Sequence, residues 1–108
     1  MFGARRVLVS AFMVFAVPSL AQDLTAGVVL NRMNSDQMSG YLAGVVEGLA
    51  YARYVADGKS TAGMGCVYDW LYDPENNAQA KTLEAFRRYP DHTPAAIVAI
   101  LVRQKCGG

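Results

Sequence analysis

The chain has 108 residues, 53% of them hydrophobic and 18% charged, with a formal net charge of +1. That length allows one domain at most, and a near-neutral balance without a basic stripe argues against nucleic acid as a partner. One histidine and two cysteines, the latter read below as bonded, cannot furnish a zinc site.

At the N-terminus, Arg5 and Arg6 precede a run from Val7 to Val17 that is apolar apart from Ser10. Pro18-Ser19-Leu20-Ala21 then supplies a break and small residues ahead of Gln22. A positive end, an apolar centre and a small-residue cleavage site make a secretory signal, too short for a membrane span. The predicted organisation is a signal peptide over 1–21 and an 87-residue mature domain over 22–108, periplasmic or secreted, with no span of its own. Its eight basic and nine acidic residues are interspersed, which leaves a net charge of −1 and no charged tail.

Cys66 and Cys106 both fall in the mature part. In an oxidising compartment a lone pair of thiols reads as a disulfide. A bridge over about 40 residues stabilises by about 4 kcal/mol in the chain-entropy model, a large share for so small a core.

A short first helix is predicted over Thr25 to Met33, with Leu24, Val28, Val29 and Met33 apolar. Asn34 or Ser35 then caps a long helix, Asp36 to Asp57. There Met38, Tyr41, Leu42, Val45, Val46, Leu49 and Ala52 recur at helical spacing, and Gly58 gives the stop. Gly58 to Gly65 reads as a loop. The aromatic run Val67 to Tyr72 fits either a helical turn or an extended piece. Asp73-Pro74 opens a third helix by cap-and-proline logic, running to about Tyr89 with Leu83 and Phe86 inward and Glu84 set to pair with Arg88. After the break at residues 89–92, Thr93-Pro94 opens a fourth. Ala95 to Val102 is apolar all round, as in a buried helix. The predicted fold is all-α: a small four-helix domain with one disulfide.

Gly40, Gly44 and Gly48 share one face of the long helix at a cost of roughly 1 kcal/mol each against alanine. Close helix approach explains such a face: packing of the fourth helix through Ala95, Ala96 and Ala99, or a homodimer contact. Gly58-Lys59-Ser60 lacks the earlier glycine of a phosphate-binding loop, since Arg53 stands there. His92, beside Asp91, has no nucleophile motif around Ser39 or Ser60 and reads as a surface or capping residue. Asp69, Asp73 and Glu75 do not fit a calcium loop. No catalytic residue, metal ligand or cofactor site is expected. Tyr68, Trp70 and Tyr72, with Tyr41, Tyr51 and Tyr54, form an aromatic surplus suited to a core or to a protein-binding surface.

Three pieces together carry a likeness. They are Gly40-Tyr41-Leu42-Ala43-Gly44-Val45 in the long helix, Cys66 after a loop, and Tyr89-Pro90 followed by Pro94-Ala95-Ala96 and an apolar helix ending at Cys106. The chain resembles the Tai-like periplasmic immunity proteins of type VI secretion. Members often hold a further cysteine pair, where this chain has Met33, Met38 and Ser39. The resemblance implies a non-enzymatic role: binding and occluding a cell-wall amidase toxin, with Tyr68, Trp70 and Tyr72 as the candidate partner surface. The alternative is a periplasmic acid-stress chaperone of the HdeA-like class.

Overall fold

Side-chain caps start the first two helices. In the computed structural model, which describes residues 24–108, the Thr25 hydroxyl accepts from the Val28 amide at 3.2 Å and opens α1, Ala26–Arg32. The next element, α2, Ser35–Ala56, begins in a reciprocal capping box: Asn34 Oδ1 accepts from the Gln37 amide, and Gln37 Oε1 accepts from the Asn34 amide. One orphan donor is thereby satisfied at the first start and two at the second. The predicted signal peptide, 1–21, lies outside the described residues.

Five α-helices and no strand are found among the described residues, so the all-α expectation holds with one helix more than predicted. The additional helix is α3, Ala62–Tyr72, which takes in the undecided aromatic run and the second half of the expected glycine loop. Gly63 and Gly65 weaken its first turn, and Thr61 makes no side-chain cap bond. Packing overrides that weakness, because Val67 and Trp70 are both buried against the core. The loop that remains turns through Gly58 and Lys59, both at positive φ (67° and 68°).

The predicted third helix is divided. Pro74–Asn76 forms a single 3₁₀ turn, capped by the Asp73 carboxylate accepting from the Glu75 amide at 3.0 Å. Asn77 then takes a left-handed conformation (φ 49°) and α4, Ala78–Arg88, follows. An Asp-Pro start and a helical pattern at residues 78–88 are both real, but the left-handed residue between them redirects the chain. Glu84 and Arg88 do pair, at 3.2 Å. Last comes α5, Pro94–Cys106, with Pro94 in its first turn.

The core runs through all five helices. Val29 of α1, Leu42 and Val46 of α2, Val67 and Trp70 of α3, Phe86 of α4 and Val98 of α5 are among its buried members. Helix α1 packs on α4, and the turn after α4 supplies acceptors for its first amides: Ala26 N–H donates to His92 O and Gly27 N–H to Pro90 O, both at 2.8 Å. A Cβ at Gly27 would stand 3.3 Å from Pro90, so glycine permits this close approach. In place of the expected burial on every side, α5 lies at the surface, with Ala96 and Ile100 exposed.

Candidate protein-binding surface

Helices α2 and α3 form an antiparallel hairpin, and α3 is tied to the end of α5 by the Cys66–Cys106 disulfide, with Cα atoms 5.8 Å apart. The predicted staple is present, and it joins the residues expected. A second tie crosses beside it. Arg53 Nε donates to Asp57 Oδ2 at 2.8 Å, while Nη1 of the same guanidinium donates to the carbonyls of Cys106 and Gly107 at 3.4 and 3.1 Å. The last carbonyls of α5 have no partner within their own helix, so this cation satisfies them and complements the negative helix end. A methyl at Gly63 would stand 2.5 Å from both Arg53 Nε and Asp57 Oδ2. Glycine at this place in α3 makes room for the ion pair. Spacing alone shows the Arg53–Asp57 pair four residues apart; its reach to α5 is a property of the fold.

The three aromatic residues beside Cys66 separate. Trp70 is 2% exposed and belongs to the core, so it is withdrawn from the candidate partner surface. Two residues either side of it, Tyr68 and Tyr72 share the opposite face of α3 at four-residue spacing. Tyr72 is 66% exposed. Tyr68 is half-buried, and its hydroxyl donates to Glu47 Oε2 on α2 at 2.8 Å. That hydrogen bond first, then burial and the Glu47 charge, raise the Tyr68 phenol above its ordinary value. Burial alone does the same for Tyr41.

Among the described residues, Gly40, Gly44 and Gly48 do not receive another helix. All three are exposed, and a Cβ at any of them would meet nothing within 4 Å. The expected packing with α5 fails because α5 meets a different side of α2: Leu49, Ala52, Arg53 and Ala56 face Ala99, Val102 and Arg103 across a shared crevice. Tyr51, 65% exposed, continues the glycine face by helical spacing, its ring 6.3 Å from that of Tyr54. One side of the α2–α3 hairpin thus shows a smooth glycine track bordered by tyrosines.

His92 is exposed and edge-on to Tyr89, with ring centroids 5.4 Å apart. Ser39 donates to Gln79 at 3.1 Å and Ser60 accepts from the Ala62 amide at 3.4 Å, so each serine hydroxyl serves local structure. Among the described residues no cluster of three or more His, Cys, Asp or Glu side chains is arranged to hold a metal ion. None of their helices is long and apolar enough to cross a membrane. No family model, curated protein or solved structure matches the chain.

Proposed function

We propose that the chain is exported, loses residues 1–21, and acts in the periplasm as an immunity protein that binds and occludes a cell-wall amidase toxin of type VI secretion. The observation that carries this role is Tyr72, a large aromatic left two-thirds exposed beside the fixed Tyr68–Glu47 pair on a disulfide-anchored helix. Binding hot spots favour tyrosine on such rigid supports, because little side-chain entropy is lost on contact. The exposed glycine track of α2 supports the same role. Its helix-weakening residues are offset by no contact among the described residues, and close approach of another backbone is what they permit.

Titration of the oxidised protein against the product of the neighbouring gene tests this. Binding that blocks peptidoglycan amide hydrolysis, and that weakens at least about tenfold in Tyr72→Ala with circular dichroism unchanged, is the expected result. Failure of the folded protein to bind that product, together with suppression of aggregation of unrelated proteins at low pH, would replace the immunity role with the chaperone.

A further inference from the structure

Helix α5 carries more apolar surface than the other described residues cover. Pro94, Ile97, Val98 and Val102 face the core, yet Ile100 is 52% exposed on the outer side. It borders an open groove between α4 and α5, made of two adjoining depressions of about 340 and 550 Å³ that share Ala85, Tyr89, Leu101 and Gln104. At the end near His92 the lining is apolar, through Ile97 and Ile100. The other end is cationic. Lys81 and Arg88 line the second depression, and a smaller one continues past Lys105 to the edge of Trp70. Glu84 is the acidic residue along the groove, and it and Arg88 neutralise each other, which leaves Lys81 and Lys105 to set the groove's charge.

This positive rim belongs to a wider separation of charge. Residues 78–108 hold Lys81, Arg87, Arg88, Arg103 and Lys105 against Glu84 and Asp91, a net +3. Residues 24–77 hold Arg32, Arg53 and Lys59 against Asp36, Glu47, Asp57, Asp69, Asp73 and Glu75, a net −3. Four of the cations occupy the last turns of α4 and α5, where they complement the helix dipoles. Lys81 does not. It stands near the start of α4, where the dipole disfavours a cation, and it projects into the groove.

We propose that this groove docks a helical segment of a partner protein, one whose apolar stripe is flanked by aspartate or glutamate. Two packed helices leave a furrow that fits the side-chain ridge of a third. The 11 residues of α4 give it a length of about 16 Å, or three helical turns. Ile100 and Leu101 take the apolar stripe, and Lys81 and Lys105 take the carboxylates. The groove lies on α4 and α5, apart from the tyrosine face of α2 and α3, and its occupant is independent of the toxin.

The test uses the full chain, expressed for export and purified with its disulfide formed. A displayed library of amphipathic helices, with apolar residues fixed at i, i+3, i+4 and i+7 and flanks randomised, is selected against it. Enrichment of acidic over basic flanks is expected. A synthetic peptide from the winners should shift the fluorescence of Trp70, the only tryptophan, which lines the end of the groove. Its affinity should fall at least about tenfold in Ile100→Glu, as for a hot-spot loss, and also fall in Lys81→Glu and with added salt. Both positions are exposed, and Ile100→Ser replaces the first variant if circular dichroism shows unfolding. Absence of an acidic bias overturns the proposal, as does binding indifferent to Ile100 and Lys81. So does a dimer in light scattering that Ile100→Glu dissociates. Sedimentation with phosphatidylglycerol vesicles, lost in the same variants while no peptide is selected, would assign the groove to a membrane surface instead.

Discussion

Trp70 and Tyr72 stand two residues apart on one helix and have opposite fates, which makes them a matched pair for experiment. Removing the buried indole creates a cavity, so Trp70→Ala is expected to lower stability by about 3–5 kcal/mol, measured by denaturant unfolding. Tyr72→Ala, at an exposed position, should stay within about 0.5 kcal/mol of the parent in the same assay. A large loss in Tyr72→Ala would mean that the phenol packs where it is described as free. Tyr68 adds a pH dependence. Its phenol is raised in the folded state, so the protonated, hydrogen-bonded form is the stabilised one. That contribution is complete below the unfolded value of about 10 and is lost as pH rises through the higher folded one. Unfolding midpoints should therefore fall above pH 10, and less steeply in Tyr68→Phe; an identical decline in both proteins would remove Tyr68 as the cause.

At the scale of elements, the cap at Asn34 and the proline at Pro94 made two helix starts legible from sequence, although the Thr93 side chain, expected to cap, makes no cap bond. Each start is set by residues adjacent in the chain. Helix α3 was illegible for the converse reason. Its glycines and missing cap argue locally for a loop, and only the burial of Val67 and Trp70 against other helices reverses that. The glycine track of α2 shows the opposite limit. Spacing places Gly40, Gly44 and Gly48 on one face but says nothing of what covers it. The candidate surface was legible only in part: the aromatic run left core and surface open, so it did not separate exposed Tyr72 from buried Trp70, and the two-helix groove depends on contacts that spacing cannot supply. Open space at Gly44 leads to a definite expectation. Gly44→Ala should raise stability by about 1 kcal/mol, since alanine regains backbone entropy in a helix and meets no clash. If the track is a contact face, the same variant should bind the toxin more weakly while unfolding later. A destabilised Gly44→Ala would show that something within the chain packs there after all.

Across the whole molecule, the ties converge on one corner. The disulfide joins α3 to α5, Arg53 of α2 holds the last carbonyls of α5, and Gly63 of α3 makes room for the Arg53–Asp57 pair. Three helices therefore meet at the end of α5, while α1 is latched at another point through the Pro90 and His92 carbonyls. One core connects these ties, so unfolding should be a single transition, coincident by Trp70 fluorescence and far-ultraviolet circular dichroism. Reduction removes the constraint on the unfolded chain, worth about 4 kcal/mol for a loop of this size. In a domain of fewer than 100 residues each kcal/mol moves the melting midpoint by about 4–8 °C, so reduction should lower it by roughly 15–30 °C. Gly63→Ala should lower it further in the reduced protein than in the oxidised one, because the guanidinium tie then remains without the disulfide at the end of α5. Equal shifts in both states would show that the two ties act independently. A midpoint unmoved by reduction would mean that the packed core, rather than the staple, sets the stability of this small domain.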